Sequence, residues 1–219
     1  YTTSMLTLAL LKTSMHKENA KVMVESGCVF DIEALSHSTD VAILEKLVAI
    51  IRSLSWRPSD HDNLVHEHHV IRVLRSIFDR APTTDAMRLD CADAICNLSY
   101  HISPGSYEDM VSDGAIELLV LLAEACLEDE SSAKQNGATE SRNGGNREVS
   151  SHNTTKLRVA ISFCHLASGG FGERLIDLDV IPVILKIILM PHCGLELRRD
   201  CLSTLCSLSF CFDTRGEEM

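Results

Sequence analysis

Basic residues are scarce in this chain. Lysine and arginine number 20 against 31 aspartates and glutamates, so the formal net charge at pH 7 is −11. Proteins that follow a phosphate backbone need a basic stripe, so we expect neither nucleic acid nor an anionic membrane surface as a partner. No apolar run reaches the roughly 18 residues of a membrane-spanning helix, and the N-terminus has no signal-like pattern. These absences predict an intracellular protein, cytoplasmic or nuclear, that does not insert into a membrane.

Motifs that would indicate an enzyme or a cofactor are missing as well. The sequence contains no G-x-G-x-x-G, P-loop or nucleophile-elbow pattern, and its nine cysteines form no C-x-x-C pair. The nearest cysteines, such as Cys91 and Cys96, are five residues apart within apolar segments. We therefore expect reduced cysteines that act as small core residues, no cofactor and no enzymatic activity.

A repeat is what the sequence does contain. Four apolar segments have the same shape, and their shared leucines are Leu54, Leu98, Leu166 and Leu208. The spacings are 44, 68 and 42 residues, so a period of 42–44 emerges if the middle interval holds an insertion. A polar run rich in glycine, serine and asparagine occupies residues 128–153. We predict that this insertion is disordered, because it has almost no apolar surface to offset the entropy of ordering it.

Each repeat has apolar positions for three helices. Around the shared leucines, apolar residues recur on one helical face, which predicts a long third helix. A second block precedes it and predicts a second helix, with one column that is apolar in every copy: Ile32, Leu74, Leu119 and Ile184. Short segments that end in apolar pairs supply a first helix. Units of about 40 residues with this content stack into an α-solenoid, in which each unit buries its apolar face against its neighbours.

In these columns the sequence resembles the armadillo repeat. The matching stretches are "VESGCVFDIEAL", "VSDGAIELLVLL" and "IDLDVIPVILKIIL" at the junction of the first two helices, and "DAICNLS", "RVAISFCHLAS" and "LSTLCSLS" in the third helix. The resemblance covers nearly the whole chain apart from the insertion. It implies an all-α fold, a right-handed superhelix of three-helix repeats.

The repeat also predicts how the chain is divided. We expect one continuous array, and because the chain starts at Tyr1 and stops shortly after an apolar repeat segment, we expect it to be a piece of a longer one whose remainder is itself a partner. The predicted units span approximately residues 1–40, 41–84, 85–127 continuing after the insertion, 154–196 and a partial 197–219.

The stretch "HDNLVHEHHV" at 61–70 raises an alternative of a different class, a metal-dependent enzyme. Its spacing does not fit a zincin, which needs two histidines four residues apart with a glutamate beside the first. His69 aligns with Gly27, Gly114 and Asp179, so we predict a left-handed backbone there. His66 aligns with apolar residues and is predicted to be half-buried. We expect the other two, His61 and His68, to face solvent, and no metal to be bound.

The third helices of a stacked array line one concave surface, so their outward positions are the predicted binding groove. In armadillo proteins that bind extended peptides, the resemblance implies an asparagine at the shared position, and Asn97 matches it. The outward row supplies the candidate groove residues Lys46, Ser53, Asp90, Asp93, Asn97, Arg158, His165, Asp200 and Ser207.

The predicted function is a non-enzymatic scaffold that binds a protein or an extended peptide along this groove. Asp90 and Asp93 form an acidic centre, which favours a basic or mixed-charge segment. The alternative within the family is an importin-alpha-like cargo adaptor, which carries tryptophan four residues before the asparagine. This chain has Ala49, Asp93, Ile161 and Ser203 at those positions. Its single tryptophan, Trp56, lies just past a predicted helix end and is expected to be partly covered.

Overall fold

A computed structural model describes residues 2–100, 102–135, 145–190 and 193–216. Every regular element in these residues is helical, as the repeat predicted. The chain divides into two compact units, residues 1–115 and 116–219, which we call the first and second units. The all-α prediction is therefore confirmed.

The first unit contains seven α-helices among its described residues. They are α1 (Thr2–Ser14), α2 (Lys17–Glu25), α3 (Cys28–Leu35), α4 (Val41–Leu54), α5 (Val70–Arg80), α6 (Asp85–Leu98) and α7 (Pro104–Ser112). A 3-10 turn at Pro58–Asp60 and a π-helical turn at Asn63–Glu67 connect α4 to α5. α4 packs against α1 on one side and α6 on the other. The two third helices of the first unit, α4 and α6, thus lie next to one another.

The second unit repeats the same order of elements. It contains α8 (Ala115–Gln135), α9 (Gly145–Leu166), a π-helical turn (Ala167–Phe171), α10 (Gly172–Asp177), α11 (Val180–Ile188) and α12 (Leu195–Gly216). α9 packs against α12, as α4 packs against α6 in the first unit. The long helices that carry the shared leucines are therefore neighbours within each unit.

The junction before each second helix has the left-handed backbone that the alignment predicted. The φ angles are 75° at Gly27, 46° at His69, 94° at Gly114 and 54° at Asp179. Glycine adopts this conformation without strain, and His and Asp are among the side chains that tolerate it. His69 therefore has a backbone reason to occupy its position.

The apolar columns form the core. All four shared leucines are at most 1% exposed, and the second-helix column is buried in every copy. Two of the third helices begin at side-chain caps: an Asp40 carboxylate oxygen accepts from the amide of Ala42, and the Thr84 hydroxyl accepts from the amide of Met87. Such caps satisfy amides that have no partner inside the helix. The nine cysteines are free thiols, and most of them are buried.

Helices extend into both ends of the segment predicted to be a disordered insertion. α8 continues to Gln135 and α9 begins at Gly145, so both ends of 128–153 continue repeat helices, and the predicted disorder of the insertion stays a prediction. Residues 136–144 lie outside the described residues. The predicted unit boundaries at 41, 85 and 197 fall at or near the starts of third helices, and they stay a prediction.

Candidate functional site

The predicted groove residues of the first unit lie on α4 and α6. Asp90, Asp93 and Asn97 are spaced three and four residues apart, so they share one face of α6. The opposite face of that helix is buried through residues such as Cys91 and Ile95, both 0% exposed. The apolar face therefore fixes the rotation of α6 and directs the three polar side chains toward the same side. We call the polar surface formed by Glu45, Arg52, Asp90, Asp93 and Asn97 the α4–α6 face.

An arginine that sequence analysis did not single out organises this face. The Nε atom of Arg52 lies 3.2 Å from a carboxylate oxygen of Asp90, and one of its terminal nitrogens lies 3.7 Å from Asp93. The side chains of Asp90 and Asp93 remain 21% and 17% exposed. One guanidinium on α4 is thus shared by two carboxylates on α6. Arg52 lies one residue before the predicted row on α4, which is why a search along that row alone did not include it.

The surroundings of Asp90 are unfavourable to its charge. Burial raises the pKa of its carboxyl group above the ordinary value, and the negative charges of Asp93 and Glu45 raise the pKa further. Arg52 opposes these effects but does not cancel them. A low-dielectric site with two nearby carboxylates disfavours a third negative charge. The α4–α6 face therefore has a surplus of negative charge that an incoming cation would neutralise.

Asn97 joins the two helices. Its side-chain amide nitrogen donates to the hydroxyl of Ser55, 3.0 Å away at the C-terminal end of α4. The sequence predicts Asn97 as a groove residue. In the structure its amide contacts the end of the preceding third helix, which ties adjacent repeats together.

The remaining predicted residues on α4 contact their own helix. The Lys46 ammonium group donates to the carbonyl of Ala42 at 2.8 Å. The Ser53 hydroxyl donates to the carbonyl of Ala49 at 3.0 Å. Both contacts span one helical turn and lie within α4.

A buried histidine connects the ends of α4 and α6. His61 is 2% exposed, and its ring nitrogens lie 2.8 Å from the carbonyl oxygen of Ser55 and 3.1 Å from that of Tyr100. The prediction that His61 faces solvent was therefore wrong. Carbonyl oxygens only accept hydrogen bonds, so a ring that donates to both carries a hydrogen on each nitrogen, and a neutral ring donates to one. We call the surface around Ser55, Trp56, His61 and Tyr100 the helix-end corner.

Two other histidine predictions were also wrong. His66 was expected to be half-buried, yet its side chain is 62% exposed and contacts Asp109 on α7. The π-helical turn shifts the rotation of the chain here, so the alignment with apolar columns fails. His68 was expected to face solvent, but it is partly buried beside Phe30, with ring centroids 5.1 Å apart in an edge-to-face arrangement. Burial lowers the pKa of His68.

The histidine cluster does not converge on one point. His61 faces two carbonyls, His66 contacts Asp109, and His69 lies 3.0 Å from Asp113. Asp113 also accepts two hydrogen bonds from Arg72. Each ring is therefore used in a separate contact between consecutive repeats, which is a structural role rather than a shared ligand set.

In the second unit the predicted residues lie on α9 and α12. Arg158 and His165 are on α9; Asp200 and Ser207 are on α12. The contacts between these two helices include small uncharged groups: the Thr204 hydroxyl reaches the carbonyl of Ala160, and the Cys164 thiol lies 3.4 Å from the Ser203 hydroxyl. Asp200 lies 3.0 Å from Arg199, its neighbour in the chain. The structure thus places the predicted groove residues on two separate helix pairs.

Aromatic exposure at the helix ends was underestimated from the sequence. Trp56, predicted to be partly covered, is 67% exposed, and Tyr100 is 51% exposed. Each lies two residues after a shared leucine, so the two occupy equivalent places in consecutive repeats.

Comparison with known proteins rests on structure. No protein-family model matches the chain, and no curated protein matches it in sequence. A designed armadillo repeat protein is similar in structure, with a TM-score of 0.66 and 15% identity over 92% of this chain and 74% of that one. An engineered protein matches with a TM-score of 0.65 and 16% identity over 94% of this chain and 72% of that one.

A third similar structure contains a ligand. It is a designed armadillo repeat protein in complex with the peptide (KR)4, with a TM-score of 0.51 and 14% identity over 92% of this chain and 91% of that one. These similarities show that the chain has the armadillo-type repeat fold. Among the described residues, no helix combines the length and apolar character needed to cross a bilayer.

Proposed function

We propose that this chain is a non-enzymatic interaction module that binds an extended, basic segment of a partner protein along the α4–α6 face. The observation that carries the proposal is the pair of partly exposed carboxylates on α6, which both lie beside the guanidinium of Arg52. An incoming lysine or arginine would add positive charge beside these two carboxylates. The overall charge of −11 would also attract a basic partner at long range.

The similar structures support this proposal at the level of the fold. One designed armadillo repeat protein is in complex with (KR)4, a peptide in which lysine and arginine alternate. An extended peptide places alternate side chains on opposite sides, so one set can reach acidic side chains while the other faces solvent. The carboxylates of Asp90 and Asp93 lie about one helical turn apart on the same face of α6. This spacing suits cationic side chains presented by an extended backbone.

The test is titration of a fluorescently labelled (Lys-Arg)4 peptide, followed by fluorescence anisotropy at several salt concentrations. We expect saturable binding that weakens as salt rises, because ion pairs at a partly exposed surface are screened. Replacement of Asp90 and Asp93 by Asn should weaken binding and reduce its salt dependence. A peptide of the same length in which glutamine replaces every basic residue should not bind.

Two variants sharpen the assignment. Arg52→Gln removes the internal cation that competes for the carboxylates, so it should strengthen binding of the basic peptide. A matched change in the second unit, Asp200→Asn, should leave binding unchanged, because Asp200 is on α12 and lies beside Arg199. Absence of binding by the unmodified chain, or equal effects of the α6 and α12 variants, would contradict the proposal.

A further inference from the structure

Two aromatic side chains stand exposed among buried neighbours at the helix-end corner. Trp56 is 67% exposed and Tyr100 is 51% exposed, while the residues directly before them, Ser55 and Ser99, are 0% exposed. Large aromatic side chains contribute strongly to stability when they are buried. Both residues are therefore more than half exposed at the ends of α4 and α6, where a partner can contact them.

The two aromatics are held in a defined relation to each other. The ring of His61 lies between the carbonyl oxygens of Ser55 and Tyr100, at 2.8 and 3.1 Å. Trp56 directly follows Ser55 in the chain, so the backbones that carry both aromatics are tied to one buried ring. The contact from Asn97 to Ser55, at 3.0 Å, fixes the same corner from the side of α6.

This corner continues the α4–α6 face. Asp93 lies one turn before Asn97 on α6, Asn97 contacts Ser55, and Tyr100 follows Asn97 by three residues. A segment that extends past Asp93 toward the helix end would therefore reach the aromatic pair. The helix-end corner and the carboxylates are therefore carried by the same two helices, α4 and α6, and by the residues that directly follow them.

The chemistry of the corner favours a cation over an apolar side chain. Both α4 and α6 end here, and the C-terminal end of a helix carries a partial negative charge. The faces of Trp and Tyr rings attract cations, and Trp does so most strongly. Arginine suits such a site better than lysine, because its planar guanidinium stacks on an aromatic face and is more weakly hydrated.

We infer that Trp56 and Tyr100 form a contact site for arginine side chains of the basic segment, at the ends of α4 and α6. This inference rests on the proposed function and adds the residue type that the surface prefers. The carboxylates of α6 attract any cationic side chain, whereas the aromatic pair adds a preference for the planar guanidinium group of arginine.

The chain contains a single tryptophan, so its intrinsic fluorescence reports directly on Trp56. Addition of unlabelled (Lys-Arg)4 should change the emission of Trp56 with the same midpoint as the anisotropy titration. A peptide with citrulline in place of each arginine keeps the planar shape but loses the charge. The citrulline peptide should bind at least fivefold more weakly than (Lys-Arg)4. The peptide (Lys)8, which keeps the charge but lacks the planar guanidinium group, should also bind at least fivefold more weakly.

Variants provide the second test. Trp56→Ala with Tyr100→Ala should weaken binding of (Lys-Arg)4 at least fivefold, while Trp56→Phe with Tyr100→Phe should retain most of it. Phe30→Ala is the matched control, because Phe30 is also 60% exposed but lies on α3 beside His68. It should leave binding unchanged, and circular dichroism should show that all three variants are folded.

The possible outcomes separate this inference from the proposed function. If the peptide binds by anisotropy but the Trp56 emission does not change and the double alanine variant binds equally well, the aromatic site is refuted and the α4–α6 proposal stands. If (Lys)8 binds as tightly as (Lys-Arg)4, the preference for arginine is refuted. If no peptide binds at all, the proposed function is refuted, and the aromatic site is refuted with it.

Discussion

The two units use the same helix pairing with different chemistry. In the first unit, α4 and α6 are joined by an arginine shared between two carboxylates, by an amide that donates to a hydroxyl, and by a buried histidine at the helix ends. In the second unit, contacts between α9 and α12 include a threonine hydroxyl near a carbonyl and a thiol near a hydroxyl. The shared leucines are buried equally in both. Apolar columns therefore specify the packing, while the polar positions between them are available for function.

The largest effect is expected where the first unit depends on a buried polar contact. His61→Ala removes the ring that lies between the carbonyls of Ser55 and Tyr100 and leaves a cavity between two repeats. We expect the free energy of unfolding to fall by about 2–3 kcal/mol, since a buried acceptor left without a donor costs roughly 1–3 kcal/mol and the cavity adds to that cost. Chemical denaturation measures this change. His16→Ala, at an exposed position before α2, is the control and should change stability by less than about 0.5 kcal/mol.

Replacement of a glycine by alanine should destabilise the protein at one position in the second unit and stabilise it at another in the first unit. In the second unit, a Cβ at Gly172 would overlap the sulfur of Cys211, whereas a Cβ at Gly105 in α7 of the first unit meets no atom within 4 Å. We expect Gly172→Ala to destabilise the protein by about 1–3 kcal/mol through overpacking. We expect Gly105→Ala to stabilise it by up to about 1 kcal/mol. Thermal unfolding of both variants tests the difference, and Cys211→Ala should rescue Gly172→Ala.

If Asp90 serves binding rather than folding, its replacement should lower peptide affinity without lowering stability. Asp90→Asn should weaken binding of the basic peptide about fivefold, which corresponds to about 1 kcal/mol for one partly exposed ion pair. The same change should not reduce stability at neutral pH, because burial raises the pKa of Asp90 and its ionised form is disfavoured in the folded state.

The pH dependence has a definite sign. A raised folded-state pKa means that the contribution of Asp90 to stability is present below the unfolded-state pKa and is lost as pH rises through the folded-state pKa. The free energy of unfolding should therefore decrease as the pH rises just above the range in which ordinary carboxyl groups titrate. Asp90→Asn should remove this decrease. A variant that loses binding and stability together would contradict a functional role for this carboxylate.

The smallest effect concerns an exposed contact between consecutive repeats. The hydrogen bond to Asp109, together with the negative charge of that carboxylate, raises the pKa of His66. We expect the NMR titration of the His66 ring to move to lower pH in Asp109→Asn. Asp113→Asn should leave it in place, because Asp113 contacts His69 instead.

Several features of the fold could be read from single positions in the repeat. The left-handed backbone at His69 and Asp179 follows from a local rule, that few side chains other than glycine tolerate it, and both predictions are confirmed. The buried columns follow from helical periodicity, which needs no knowledge of neighbouring repeats. These properties belong to one helix or one junction at a time.

The features that sequence analysis missed depend on register between repeats. His61 contacts backbone carbonyls at the ends of two other helices, and a carbonyl leaves no mark in the sequence. Arg52 and Ser55 were missed because their partners, Asp90 and Asn97, are about 40 residues away. The exposure of His66 depends on a π-helical turn that shifts the helical phase. Contacts of this kind become visible only when adjacent helices are placed side by side.

The contrast between the units is tested most directly by NMR of the isotopically labelled chain during titration with (Lys-Arg)4. Our account predicts that amide shifts concentrate in α4 and α6, with the largest changes around Arg52, Asp93, Asn97 and at Trp56, and that α9 and α12 change little. Shifts concentrated in α9 and α12, or no shifts at peptide concentrations that saturate the anisotropy signal, would contradict the assignment of binding to the α4–α6 face.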